Sequence, residues 1–148
     1  MTRIESAHRF DVPVEQGFAF ITNADNWPRF WPGYVRLEPG STWGATGDTA
    51  RLVTSILGRE RELTMTLTAF EPNRRVTYTS TQPGLPDARH ERHFAPDGNG
   101  FVYRLVVEYE PRSGIKGVLD RLLLPRGIRR AFASTFDALD RELAAGSP

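Results

Sequence analysis

Six short segments in which polar and apolar residues alternate follow one another through the middle of the chain. In the clearest, residues 61–70, Leu63, Met65, Leu67 and Ala69 alternate with glutamate and threonine. This period of two is typical of a strand with one buried and one wet face. Gly, Pro, Asn and Asp separate the segments, so neighbouring strands are expected to be antiparallel. The predicted strands are Tyr34 to Leu37, Asp48 to Leu57, Arg61 to Phe70, Arg75 to Ser80, Ala88 to Phe94 and Phe101 to Tyr109.

A further strand and two short helices are predicted ahead of this series. Residues 4–10 alternate in the same way, and Pro13 suits the start of a helix whose Phe18 and Ile21 face inward. The segment Trp27 to Trp31 predicts another short turn of helix.

The C-terminal segment predicts a helix that covers the apolar face of the sheet. Apolar residues recur there at three- and four-residue spacing, and Pro125 predicts a break. They are Ile115, Val118, Leu119, Leu122 and Leu123 before the break, then Ala131, Phe132, Phe136, Leu139 and Leu143. The resulting fold class is α+β, a helix-grip arrangement in which a curved antiparallel sheet of about six to seven strands wraps around a long C-terminal helix.

Length and charge narrow the classes of function. The 148 residues predict one domain, residues 1–148, and a net charge of +1 gives no general attraction to nucleic acid. No apolar run reaches the roughly 20 residues of a membrane span. There is no cysteine and no apolar stretch at the N-terminus, so a cytoplasmic location is expected.

Trp27, Phe30 and Trp31 stand on a proline-rich loop after the first helix. Three large rings there either plug one end of the core or line the mouth of a cavity that a hydrophobic ligand enters. Both interpretations remain open from the sequence.

The hairpin around residues 95–100 decides which polar side chains face the interior. With Phe94 opposite Phe101 and Arg92 opposite Tyr103, His90 and Arg92 would point inward, where they could polarise a ligand carbonyl or bind a carboxylate. A slip of one residue would turn Glu91 and His93 inward instead.

Other chemistry finds little support in the sequence. Two histidines three apart on a strand face opposite sides and predict no metal site. The sequence contains no nucleophile motif and no phosphate-binding glycine loop, so no cofactor is predicted.

Several of these features together resemble one known family. The chain resembles the helix-grip superfamily of START lipid-transfer domains, birch-pollen-type allergens and polyketide cyclases (SRPBCC), and is most similar to its polyketide cyclase/dehydrase and lipid-transport branch. Phe101 stands where that family commonly has threonine. The matching segments are residues 12–18, Trp27 to Gly33, Phe70 to Val76, Gly98 to Phe101 and Leu119 to Leu143.

The resemblance implies an apolar cavity between the sheet and the terminal helix. The resulting prediction is a protein that binds a small hydrophobic molecule such as a lipid, polyketide or quinone. The predicted ligand-binding residues are Trp27, Phe30, Trp31, Met65, Leu67, Tyr78, Arg92, Tyr103, Leu105, Tyr109, Phe132 and Phe136.

Two alternatives remain open. In a polyketide aromatase/cyclase, His90 or Tyr103 would move protons and Arg92 would stabilise an enolate. In a lipid or quinone chaperone, the apolar and basic segment Leu119 to Arg130 would dock to a membrane complex, and the same segment offers a weak contact with a membrane surface.

Overall fold

In the computed structural model, which describes residues 1–56 and 58–145, seven antiparallel strands form one sheet. The strand order is β1-β7-β6-β5-β4-β3-β2, so β1 alone pairs with a strand distant in sequence. The prediction of six to seven antiparallel strands is confirmed. The strands are β1 (Thr2–Phe10), β2 (Tyr34–Leu37), β3 (Thr49–Ile56), β4 (Arg59–Glu71), β5 (Arg75–Thr81), β6 (Ala88–Asp97) and β7 (Gly100–Tyr109). Leu57, the predicted end of the third strand, lies outside the described residues.

A β-bulge near the end of β4 changes which residues face the core. Leu67 pairs with Tyr78, but the next pair is Ala69 with Thr77, so Thr68 is an extra residue. The prediction that Ala69 continues the apolar face is therefore wrong, because the bulge reverses the alternation. Phe70 takes the inward position, and its ring meets Phe18 at 5.3 Å between centroids.

Two short helices follow β1, as predicted. They are α1 (Val14–Thr22) and α2 (Trp27–Phe30), with a turn of 3-10 helix between them. Pro13 precedes α1, and its carbonyl accepts a hydrogen bond from the Gly17 amide. The helices carry Phe18, Ile21, Trp27 and Phe30 into the core.

The C-terminal segment forms two helices with a break at Leu123. They are α3 (Gly114–Leu122) and α4 (Leu124–Ala145), and Pro125 occupies the first turn of α4, where a missing amide costs little. The predicted break near Pro125 is confirmed. The buried side of α4 carries Phe132, Phe136, Leu139 and Leu143.

His8 ties α4 to the edge of the sheet. Its ring stacks on Phe136 with 5.3 Å between centroids, and its Nε2 lies 2.9 Å from the Asp140 carboxylate. The apolar stripe of α4 is thereby held against β1.

The α3 helix turns the opposite way from the prediction. Its apolar stripe was expected to continue the covering face, but Ile115 is 83% exposed and Leu122 64%. Gly117 and Asp120 face the protein instead. A Cβ at Gly117 would lie 1.8 Å from the Arg112 carbonyl oxygen, and the Asp120 carboxylate accepts hydrogen bonds from the Arg112 backbone amide and guanidinium at 2.8 to 2.9 Å. These contacts fix the orientation of α3.

None of the helices among the described residues has the length and apolarity that crossing a membrane requires.

Candidate functional site

A cavity of about 620 Å³ lies between the inner face of the sheet and α4. This volume falls in the range of about 300–1,000 Å³ typical of small-molecule sites. Strands β3 to β7, the α1–α2 region and the first half of α4 all contribute to its wall.

Eight of the predicted ligand-binding residues line this cavity. They are Trp27, Phe30, Trp31, Tyr78, Arg92, Tyr103, Tyr109 and Phe132. The other four, Met65, Leu67, Leu105 and Phe136, are buried core residues outside the lining. The alternation along the strands and the helical spacing in α4 predict which face of its element each of these residues occupies. Neither pattern predicts whether the cavity lies next to that residue.

The aromatic loop both packs into the core and lines the cavity. Trp27 is buried, and its indole Nε1 donates to the Ile21 carbonyl at 3.2 Å. Trp31 lies 5.2 Å from Trp27 between ring centroids and remains half-buried. The two interpretations of this loop are therefore compatible.

Trp43 joins this aromatic wall and was missed from the sequence. It lies on the loop between β2 and β3, edge-on to Trp27 at 5.6 Å and to Tyr78 at 5.4 Å. A lone tryptophan in a segment otherwise rich in glycine, serine and threonine was the available signal.

The hairpin of β6 and β7 is tighter than predicted. Phe94 pairs with Tyr103 rather than Phe101, Arg92 with Leu105 and His90 with Val107, because β6 extends to Asp97 and only two residues form the turn. The predicted pairing is wrong by two residues, which leaves each side chain on its expected face.

The inward polar side chains of β6 are therefore His90 and Arg92. Both line the cavity. Glu91 and His93 lie on the outer face, where His93 Nε2 is 2.9 Å from Glu91 Oε1. The alternative register, which would turn this second pair inward, is not the one observed.

A small polar cluster forms around His90 and Arg92. The Arg92 Nη2 donates to Tyr78 Oη at 2.7 Å, and the His90 ring stacks on Tyr78 with 4.4 Å between centroids. His90 Nε2 lies 2.8 Å from Ser80 Oγ, while His90 Nδ1 is buried without a hydrogen-bond partner among the described residues.

Burial favours the neutral forms of His90 and of Tyr103, which lines the cavity beside this cluster. Burial, assisted by the positive charge of Arg92, lowers the pKa of His90 to about 3. Burial also raises the pKa of Tyr103 to about 12, against the opposing effect of Arg92. At neutral pH both side chains are uncharged beside the guanidinium.

Ser80 was also missed from the sequence, because a small polar residue on a strand is typical of the wet face. Its position follows from Val76, Tyr78 and Ser80, which alternate inward along β5. Tyr109 is one of the predicted ligand-binding residues, but its hydroxyl donates to the Asp120 backbone carbonyl at 2.9 Å. Tyr109 contributes its ring to the wall.

Phe101 closes the hairpin end of the interior. It is fully buried and packs against Phe10 and Phe94 with ring centroids 5.4 and 6.1 Å apart. It does not line the cavity.

A curved antiparallel sheet that grips a C-terminal helix defines the helix-grip, START-like class of fold. Solved structures agree with this class. A Thermus thermophilus protein superposes with a TM-score of 0.81 at 18% identity, covering 99% of this chain and 100% of its own. A START superfamily protein of Mycobacterium smegmatis superposes with a TM-score of 0.79 at 10% identity, covering 98% of this chain and 99% of its own.

CalU16 of Micromonospora echinospora is also similar, with a TM-score of 0.63 at 18% identity, covering 97% of this chain and 79% of its own. The family described as polyketide cyclase / dehydrase and lipid transport matches residues 1–144. The chain belongs to this family. The comparison with curated proteins finds no significant match.

Proposed function

We propose that this protein binds one small hydrophobic molecule in the cavity between its sheet and α4. The observation that carries the proposal is the composition of the wall, which is aromatic and aliphatic except for the cluster around Arg92 and a few other polar side chains. Burial of apolar ligand surface contributes about 25 cal/mol per Å², so a wall of this kind supports binding with few polar contacts.

The polar cluster favours binding over proton transfer. A general base works best with a pKa near the working pH, and burial holds the pKa of His90 at about 3. Tyr103, with a pKa of about 12, is a weak acid under the same conditions. A site that only binds and orients a ligand does not require His90 or Tyr103 to gain or lose a proton.

Filling the cavity tests this function directly. Ala131 lines the cavity on α4, and Ala133 is exposed two residues further along the same helix. Native mass spectrometry of protein purified from its own source should show a bound small molecule in wild type and Ala133→Trp, and none in Ala131→Trp. Equal retention in the two variants, or no bound molecule in any form and no binding from a panel of lipids and aromatics, would contradict the proposal.

A second candidate function, delivery of the ligand at a membrane surface, is favoured by the outer face of α3. Apolar side chains stand exposed there at the spacing of one helical stripe, namely Ile115, Val118, Leu119 and Leu122, with Leu123 beside them. Such a stripe on a helix normally faces the core. An exposed contiguous apolar patch is typical of a contact surface.

The charges around this stripe point to an anionic bilayer as the partner. Lys116, Arg121, Arg126, Arg129 and Arg130 are all exposed, and none of them forms an ion pair within the described part of the chain. The one acid among residues 114–131, Asp120, is already bound by Arg112. A helix that lies at the surface of a bilayer typically inserts its leucines below the headgroups, while its arginines contact the acidic headgroups.

Vesicle flotation tests this second function. The protein should float with phosphatidylcholine vesicles that contain phosphatidylglycerol, and much less with phosphatidylcholine alone. Serine at both Leu119 and Leu122 should abolish flotation. Glutamine at Arg51 and Arg89, exposed arginines on the outer face of the sheet, should leave it unchanged. Equal flotation with and without phosphatidylglycerol would contradict this second function. Self-association of the protein through α3, instead of binding to vesicles, would also contradict it.

A further inference from the structure

Arg92 lies inside the protein without an acidic partner among the described residues. The hydrogen bond that its guanidinium makes is to the neutral hydroxyl of Tyr78, and its carbon lies 5.6 Å from the centroid of the Tyr78 ring. Arg112 and Arg3, by contrast, have acidic partners. Arg112 makes a two-point contact with Asp120, and Arg3 donates to Glu108.

The neighbours of Arg92 supply no negative charge. His90, Tyr78 and Ser80 are uncharged hydrogen-bonding groups, and Tyr103 keeps its proton well above neutral pH. Glu91, the adjacent residue, points to the outer face and contacts His93 and Arg3.

The cavity wall as a whole is positively charged. Its charged side chains within the described residues are Arg92, which is partly buried, and Arg130, which is exposed on α4. No aspartate or glutamate of this part of the chain lines it. A cation that is partly removed from water without a counter-ion is costly, so the charge favours a ligand that brings the missing anion.

The shape of the donor selects the kind of anion. A guanidinium presents five N–H groups in a planar fork that matches a carboxylate, and a single hydrogen bond to Tyr78 leaves most of that fork unused. The surrounding groups are neutral and the remaining wall is largely apolar, so the single positive charge of this cluster fits a monoanion with an apolar body.

We infer that the cavity binds an amphipathic monocarboxylic acid, with the carboxylate on Arg92 and the apolar body against the aromatic wall of Trp27, Trp31 and Trp43. This inference rests on the proposed function and adds the chemical class of the ligand. A fatty acid and an aromatic acid both satisfy it, since the selecting group is the carboxylate.

Matched acid and alcohol pairs test the inference by isothermal titration calorimetry. The probes are decanoate with decanol, and naphthoate with naphthol, at neutral pH. A charge-assisted contact contributes about 1.5–3 kcal/mol, so at least one acid should bind about tenfold or more tightly than its alcohol. In Arg92→Leu this preference should vanish while the alcohol still binds. Arg89→Leu, on the outer face of the same strand, should keep the preference.

The possible results separate the ligand class from the function. Alcohols that bind as tightly as their acids overturn the carboxylate inference and leave the hydrophobic site intact. Decyl phosphate that binds more tightly than decanoate overturns it in favour of a phosphate ligand. Failure of all the probes to bind counts against both the inference and the proposed function. The wild-type comparison of acid with alcohol decides the question even if Arg92→Leu does not fold.

Discussion

Gly17 of α1 and Phe101 of β7 lie in direct contact, with no room for a side chain on the glycine. A Cβ at position 17 would stand 2.2 Å from Cε1 of the Phe101 ring. Because Phe101 is fully buried and β7 is a central strand, the ring has little freedom to move away. This contact lets α1 approach the sheet closely and closes the hairpin end of the interior.

Alanine at Gly17 should therefore destabilise the protein. Overpacking typically costs about 1–3 kcal/mol, which exceeds the gain of up to about 1 kcal/mol from replacing a helical glycine. The control is Gly127→Ala in α4, where a Cβ meets nothing within 4 Å and only the helical gain applies. Urea unfolding should give opposite signs for the two variants. A Gly17→Ala variant as stable as wild type would contradict the contact.

The buried His90 should make stability depend on acid pH. Its pKa is about 3 in the folded protein and about 6.5 when unfolded, so below pH 6.5 the unfolded state binds more protons. Stability should fall as the pH drops from 6.5 towards 3, by up to about 5 kcal/mol from this group.

Urea unfolding from pH 7 to pH 4 checks this dependence. His90→Gln should flatten the curve, and Ser80→Ala, which removes the partner of Nε2 but keeps the imidazole, should retain the slope. Identical slopes for wild type and His90→Gln would contradict the burial of a neutral imidazole.

Substitution by leucine should affect the stability of the protein differently at Arg92 and at Arg112. Arg92 has no acidic partner among the described residues, so Arg92→Leu leaves no carboxylate without its counter-ion, and the ligand-free protein should be at least as stable as wild type. Arg112→Leu should cost up to about 3–5 kcal/mol, because it removes the guanidinium and leaves the buried Asp120 carboxylate with only the backbone amide of residue 112 as donor. Differential scanning calorimetry measures both, and a loss of stability in the first would show that Arg92 has a structural role.

The bulge in β4 should determine how strongly serine substitutions at two neighbouring positions of the strand lower the stability of the protein. Phe70 points inward beside Phe18, whereas Ala69 pairs with Thr77 on the outer side. Phe70→Ser should cost about 2–3 kcal/mol and Ala69→Ser less than about 1 kcal/mol. The reverse order in urea unfolding would mean that the strand keeps its alternation without interruption.

The fold could be predicted because its main signals are local. Alternation with a period of two gives each strand, and spacing of three and four residues gives α4. The bulge at Thr68 and the two-residue turn after Asp97 could not be predicted, since each depends on how one strand meets its neighbour.

The candidate site could be predicted only in part. Side chains on a strand alternate between the two faces of the sheet, so only an error of an odd number of residues in the pairing of β6 with β7 would change the face of His90 or Arg92. The predicted pairing was wrong by two residues, which left both side chains on the predicted face. The positions of Trp43 and Ser80 in the site depend on contacts between residues distant in sequence, which the local spacing of apolar residues does not predict. The outward stripe of α3 depends on the contact between Arg112 and Asp120, which involves residues eight apart across a turn.

The chain contains three tryptophans, and all three stand on the wall of the cavity. Indole fluorescence therefore originates only from the surroundings of the cavity, with no contribution from a distant residue. Entry of a guest that replaces water or empty space beside Trp31 and Trp43 should change the emission wavelength or intensity without any attached dye. Occupancy can in this way be followed in dilute solution, and in real time, by the optical signal of the protein itself.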